Sequence, residues 1–122
     1  MERCEFRLGY VTNGLAEVDA VQSVNLLHDI GYQAVGFTLD TGLLNPFAAN
    51  LEREIEQTSE RLERLDMRCV IETGARFLLN SQVKHEPTLI SPDEAGRERR
   101  VDFLRRAIDI AAALDASCVS IW

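Results

Sequence analysis

Long apolar runs are missing from this sequence. No stretch approaches the roughly 18 consecutive apolar residues that a membrane-spanning helix needs, so a membrane location is not expected. The N-terminal residues Met1-Glu2-Arg3-Cys4-Glu5 are charged and lack the apolar segment of a secretory signal. Cysteine is scarce. Cys4, Cys69 and Cys118 are odd in number, far apart and form no CxxC pair, which argues against a disulfide framework and for a cytoplasmic location. Cys69 and Cys118 sit inside apolar strand patterns and read as small core residues. Positive charge is also in short supply. Lys plus Arg is 13 against 20 for Asp plus Glu, a net charge of -7, which gives no electrostatic reason to bind nucleic acid or anionic lipid. The one basic run, residues 97–106, alternates with Glu98 and Asp102 in a helical pattern and reads as a solvated helix face.

What is present suits a folded domain. Apolar residues make up 46% of the chain, enough for a core, and charged residues 27%, an ordinary globular share that excludes disorder. The length of 122 residues fits a single domain. Four short apolar runs, residues 6–11, 34–39, 69–73 and 118–122, alternate with three helical patterns. Near-continuous apolar strands separated by helices imply crossover connections and a parallel sheet buried on both faces.

The first helix, about residues 16–30, carries Ala20, Val24 and Leu27 on its inner face and ends at Gly31, a natural C-cap. Asn45-Pro46 reads as the cap and first position of the second helix, followed by the stripe Leu51, Ile55, Leu62 and Leu65. Ser91-Pro92-Asp93-Glu94 reads as a capping box for the third. Its stripe is Val101, Leu104, Ile108 and Ala111, widened by Phe103, Ala107, Ile110 and Leu114. Each helix ends in a similar joint: Ile30-Gly31-Tyr32-Gln33-Ala34-Val35, Leu65-Asp66-Met67-Arg68-Cys69-Val70 and Leu114-Asp115-Ala116-Ser117-Cys118-Val119. Three joints of one length imply one repeated βα unit. The long segment from 74 to 90 breaks the pattern, and long loops of this kind are commonly functional or mobile.

Two α/β alternatives fit less well. A flavodoxin-like domain expects a fifth strand, paired acidic residues after strand one and a phosphate-accepting Asp after strand three. Here Thr12-Asn13-Gly14 follows strand one, Glu72 lies near the end of strand three and strand four closes the sequence. A dinucleotide-binding half expects GxGxxG after strand one, which Val11-Thr12-Asn13-Gly14-Leu15 does not supply, and no P-loop lysine follows.

The residues instead resemble the xylose isomerase-like barrels. The likeness rests on Leu8-Gly9-Tyr10-Val11-Thr12-Asn13-Gly14, on Asp29-Ile30-Gly31-Tyr32-Gln33-Ala34-Val35, and on Val70-Ile71-Glu72-Thr73-Gly74-Ala75-Arg76-Phe77. The run from Leu114 to Trp122 and Lys84-His85-Glu86-Pro87-Thr88 add to it. The resemblance implies an α/β fold, a parallel (βα)3β half of a TIM (β/α)8 barrel, with strand order 1-2-3-4 and right-handed crossovers. A whole barrel takes about 250 residues and eight strands, so residues 1–122 are expected to form one partial barrel domain. In the family a divalent metal, Mn, Mg, Zn or Co, is held by Glu, Asp, His and Glu at the ends of later strands. No metal ligand, and no metal for this portion alone, is therefore expected here.

Barrel sites lie at the carboxyl ends of strands and in the loops that follow, which singles out a set of candidates and leaves the catalytic residues unassigned. Asn13 follows strand one beside Thr12. Asp40 ends a strand on which Gly36, Thr38 and Asp40 share the inward face; it is either a binder of sugar hydroxyls or a turn residue before Thr41-Gly42. Glu72 sits in an apolar strand, where an unpaired charge is costly. Alignment of the joints pairs it with Phe37 and Ile121 on the helix side, yet a shift of one residue would bring it to the barrel mouth, the preferred reading. Arg76 is a candidate for an anionic group such as a phosphate, or for a salt bridge to Glu72 or Asp40. His85 is either a lid residue and proton carrier or an exposed loop histidine; His28 reads as helix surface. Trp122 either stacks on a sugar ring or fills the barrel.

The resemblance therefore implies the N-terminal portion of a metal-dependent sugar or sugar-phosphate isomerase or epimerase, inactive alone. Its expected partner is a small-molecule sugar or sugar phosphate. The alternative is a non-catalytic α/β binding or assembly module. Either way, open sheet edges would favour a homo-oligomer.

Overall fold

The computed structural model describes residues 5–15 and 17–121. Its elements run β1 (Gly9–Val11), a 3-10 turn (Thr12–Gly14), α1 (Ala20–Ile30), β2 (Ala34–Thr38), α2 (Leu51–Arg64), β3 (Arg68–Glu72), α3 (Glu94–Ala113) and β4 (Val119–Ser120). The strands form one parallel sheet in the order β1-β2-β3-β4. That order is the one expected of consecutive βα units curling into a barrel, and it excludes a flavodoxin-like sheet, where β1 would lie between β2 and β3.

The outer strands are shorter than the apolar runs suggest. β1 has a neighbour on one side only among the described residues, and its pairing begins where β2 begins, at Gly9 opposite Ala34. Phe6 and Leu8 precede that start and are exposed. Cys69 is buried as expected, but Cys118, expected in the core, precedes the two-residue β4 (Val119–Ser120) and is exposed. Trp122 and Cys4 lie outside the described residues.

The helix starts also differ from expectation. α1 begins at Ala20, four residues later than the apolar pattern suggests, because Asp19 and Gln22 make a reciprocal capping box in which the Asp19 carboxylate accepts from the Gln22 N–H at 2.8 Å. Asn45-Pro46 does not start α2. Asn45 instead accepts from the Phe47 N–H at 2.9 Å in a turn, and the helix begins five residues on, after Asn50. Nor is Ser91 the cap of α3. Asp93 is, accepting from the Gly96 N–H at 2.7 Å, while the Ser91 hydroxyl is drawn off to accept from Thr88 N–H and donate to Glu86.

The three helix-to-strand joints are structurally alike. In each, the N–H two residues past the last turn reaches back to a carbonyl five residues earlier: Tyr32 to Leu27, Met67 to Leu62 and Ala116 to Ala111, all at 2.9 Å. Gly31, Asp66 and Asp115 take the left-handed conformation that this closure demands, with φ of 111°, 49° and 52°.

Strand pairing is not in step with these joints. By joint position Gln33 matches Arg68, yet Arg68 pairs with Ala34. Likewise Val70 matches Val119, yet Val119 pairs with Ile71. The sheet thus slips by one residue at each of these two steps. A slip averaging about one residue per strand is what eight strands of total shear about eight require. Joint-equivalent residues on neighbouring strands therefore face opposite sides.

The core lies between the sheet and the helices. Val35, Phe37, Cys69 and Ile71 point outward from the strands and meet Val24 and Leu27 of α1, Leu62 of α2, and Phe103, Ala107 and Ile110 of α3. Each large side chain buried this way stabilises the fold by roughly 1.5–3 kcal/mol. Val101 and Ile108, expected at the centre of the α3 stripe, are exposed; the buried face is turned toward Arg100, Phe103, Leu104, Ala107, Ile110 and Ala111. The reading of residues 97–106 as a solvated face is also corrected. Arg100 is 2% exposed, donates to the Thr73 carbonyl at 2.8 Å and lies 5.3 Å from the Phe103 ring centre. Arg97 and Arg106 tie the helix to the carbonyls of Ser91, Pro92 and Pro46. None of the described helices is long and apolar enough to cross a membrane.

Candidate functional site

The inner face of the sheet carries Val11, Gly36, Thr38, Val70, Glu72 and Ser120, as the register requires. A polar ladder crosses it. Thr12 Oγ1 accepts from the Thr38 N–H at 2.9 Å, and the Thr38 hydroxyl donates to Glu72 Oε2 at 2.9 Å. Glu72 therefore lies on the inner face, not beneath the helices, and the one-residue slip is the reason. Its partner is a threonine; the ion pair goes elsewhere.

Arg76 is that ion pair's cation. It follows β3 on a backbone forced into the left-handed region at two consecutive residues, Ala75 with φ 62° and Arg76 with φ 41°. Non-glycine residues adopt that region at a cost, and pairs of them mark a loop whose shape is over-determined by its surroundings. Ala75, which is fully buried, and the Arg76 N–H bonded to the Gly74 carbonyl at 2.7 Å, hold the turn. The side chain reaches across the strand ends. Its Nη1 donates to Asn13 Oδ1 at 3.3 Å and lies 3.6 Å from Asp40 Oδ2. Asp40 is fixed in turn by its other oxygen, which accepts from the Thr41 N–H at 2.8 Å, and by a backbone bridge to Leu43. Asp40 thus shapes the turn before Thr41-Gly42, and its second oxygen faces Arg76.

Asn13, Asp40 and Arg76 come together at the carboxyl edge from the loops after β1, β2 and β3. With Thr12, Thr38 and Gln22 they line a cleft of about 390 Å3. A larger groove, about 740 Å3, runs between α1 and α2 and is lined by helix-surface side chains such as Arg53, Gln57 and Arg61. Since barrel chemistry sits at the strand ends, the smaller cleft is the candidate site. The half-exposed Arg76 guanidinium keeps N–H groups beyond those used on Asn13 and Asp40, and its planar fork matches a carboxylate or phosphate.

The remaining candidates fall elsewhere. Glu72 joins the cluster indirectly, through Thr38, two residues before Asp40. His85 is half-buried at the foot of the long loop, where its ring Nδ1 meets the Gly74 carbonyl and its N–H donates to the Arg76 carbonyl at 2.6 Å. It shapes the turn that carries Arg76 and does not line the cleft. Trp122 lies outside the described residues. His28 is on the surface of α1 beside Asp29, as expected.

The buried Arg100 went unread in the sequence. Burial pulls its pKa down, and the nearby Glu86 carboxylate acts against that shift. Its signal was available: residues 100, 103, 104, 107 and 111 share one face at helical spacing, so the arginine falls in phase with the core. By joining α3 to the Thr73 carbonyl it anchors the end of β3, one turn of chain before Arg76.

A divalent metal finds no complete ligand set here. Among the described residues no three His, Cys, Asp or Glu side chains converge. The Asp40 and Glu72 carboxylates are already engaged by Arg76 and Thr38. The residues present do not fit the metal group that the resemblance implies.

Comparison with curated proteins finds no match to this chain. A family model does match: the xylose isomerase-like TIM barrel aligns with residues 24–122, from the middle of α1 through β4. Together with the parallel β1-β2-β3-β4 sheet and its barrel-type slip, that match places the chain in the xylose isomerase-like TIM barrel family.

Proposed function

We propose that this chain is the N-terminal portion of a sugar or sugar-phosphate isomerase or epimerase and supplies part of the substrate-binding mouth of the barrel. The observation that carries the reading is the Asn13–Asp40–Arg76 cluster at the carboxyl edge of a sheet of this family. Arg76 takes the anionic group of the substrate in a bidentate hydrogen bond. Asp40 and Asn13 accept from and donate to sugar hydroxyls. Glu72, held by Thr38, offers a further acceptor deeper in the mouth.

The chemistry of such enzymes, proton movement beside a carbonyl, calls for a base and an electrophile in the same site. The described residues hold no metal set, so in this reading the reaction centre comes from outside them and the chain alone is inactive. The second reading is a non-catalytic binding or assembly module.

Interconversion of aldose–ketose and epimer pairs, free and phosphorylated, with Mn2+, Mg2+, Zn2+ or Co2+ present, separates the two. The expected result is no turnover by the chain alone and turnover when it is joined to the second half of a family barrel. Failure of the joined, folded barrel to turn over any substrate of the panel would favour the assembly module.

A further inference from the structure

We propose that His85 is the positioning residue of the anion subsite: it holds the turn from which Arg76 reaches into the cleft, and so keeps the guanidinium aimed before a ligand arrives. The inference rests on the reading of Arg76 as the partner of the substrate's anionic group.

Arg76 is not aimed by its own side-chain contacts. Its Nη1 lies 3.3 Å from Asn13 Oδ1 and 3.6 Å from Asp40 Oδ2, on a side chain that is 40% exposed. Partly exposed contacts of that length hold a long side chain only weakly. The direction of the guanidinium therefore depends on the backbone that carries it.

That backbone is clamped by His85 on both sides. The His85 ring Nδ1 meets the Gly74 carbonyl, and the His85 N–H donates to the Arg76 carbonyl at 2.6 Å. A carbonyl only accepts, so Nδ1 carries the proton in this contact. The Gly74 carbonyl also accepts from the Arg76 N–H at 2.7 Å, and the Ala75 carbonyl from the Leu78 N–H at 2.7 Å, which closes the turn from within.

His85 serves as a fixed point because the segment around it is tied to α3. Arg100 donates to the Thr73 carbonyl at 2.8 Å, Arg99 to the Leu79 carbonyl, and Arg97 to the Ser91 and Pro92 carbonyls at 2.8 Å. Beside His85, Glu86 Oε2 accepts from the Ser91 hydroxyl at 3.0 Å. The helix thus braces the long loop at its start, middle and end, and the brace returns to the site at His85.

The same chemistry selects the replacements. Asparagine carries its amide nitrogen on Cγ, as histidine carries Nδ1, and it tolerates the left-handed backbone of His85, φ 66°. Alanine keeps the backbone bond to Arg76 and loses the side-chain bond to Gly74.

The test compares wild type with His85→Ala, His85→Asn and Asn80→Ala. Asn80 Oδ1 accepts from the Gln82 and Val83 N–H groups at 2.8 and 3.0 Å, so its loss loosens the same loop without touching Gly74 or Arg76. Nuclear relaxation of the Arg76 Nε–H group in the ligand-free chain reads the aim, and titration with inorganic phosphate and a ketose phosphate reads its consequence. In His85→Ala the Arg76 group is expected to become mobile and the affinity for both probes to fall about fivefold, the cost of ordering a rotamer-rich side chain on binding. His85→Asn is expected to restore both readouts, and Asn80→Ala to lower the urea midpoint while changing neither. An Arg76 group as ordered in His85→Ala as in wild type would overturn the positioning role. So would a folded His85→Asn chain in which Arg76 stays mobile, the same mobility in Asn80→Ala, or affinity lost in Arg76→Ala and kept in His85→Ala; all of these leave the substrate-mouth reading standing. Equal affinity in wild type and Arg76→Ala would overturn that reading and this inference with it.

Discussion

Thr38 and Glu72 stand opposite each other in register on β2 and β3, and the threonine hydroxyl donates to the glutamate at 2.9 Å. The pair shows which face of β3 is the inner one, and it gives a charged side chain in an apolar strand the donor it needs. Replacing Thr38 by the isosteric valine keeps the shape and removes the donor. Thr38→Val is therefore expected to cost about 1–2 kcal/mol, since a half-buried carboxylate loses a hydrogen bond that water replaces only in part. Urea unfolding reads this as a lower midpoint at unchanged slope. A loss under about 0.5 kcal/mol would mean that solvent already satisfies Glu72.

Cys69 gives the fold a signature at high pH. Burial, with a smaller push from Asp115, raises its thiol pKa from 9.0 to about 11. The folded chain keeps this proton where the unfolded chain has lost it, so the native state binds more protons in that window. Stability is then full below about pH 9 and falls by up to about 1.4 kcal/mol per pH unit on the way to about pH 11, before levelling off. Cys69→Ala is expected to flatten that fall. In the same experiments a thiol reagent at pH 8 should label the exposed Cys118 readily and Cys69 only on unfolding. A native-state Cys69 that reacts as fast as Cys118 would contradict the burial.

Much of this was legible in the sequence, and the misses share physical causes. The repeated joint carried the fold: Gly31, Asp66 and Asp115 recur because one left-handed residue must end each helix, and the parallel order follows. The facing of Glu72 could not be read from those joints alone, because barrel shear turns joint-equivalent residues to opposite sides. Helix starts are ambiguous in the sequence where several capping residues compete. Ser91 and Asp93 are both good caps, and only the pull of Thr88 and Glu86 on the Ser91 hydroxyl decides between them. Counting every apolar residue as core puts Val101 and Ile108 at the centre of the α3 stripe, yet both are exposed. The buried member that completes the true face is Arg100, whose charge hid it. Asn13, Asp40 and Arg76 come together because each follows a strand end, a placement that the spacing of strands in the sequence already implies. The position of His85 was not foreseeable, since it depends on how the long loop folds back onto Gly74.

The reading of the carboxyl edge as a substrate mouth rests most directly on Arg76. Its ion pair with Asp40 is partly exposed, so Arg76→Ala should change stability by less than about 1 kcal/mol while removing the anion's bidentate partner. The decisive measurement is a titration of the isotopically labelled chain, followed by amide chemical shifts, with a ketose phosphate, the same sugar without phosphate, and inorganic phosphate. The predicted result is saturable shifts at Asn13, Asp40 and Arg76 with the sugar phosphate, weaker binding of the other two, and at least tenfold weaker sugar-phosphate binding by Arg76→Ala. Shifts confined to the groove between α1 and α2, or equal affinity in wild type and Arg76→Ala, would contradict it.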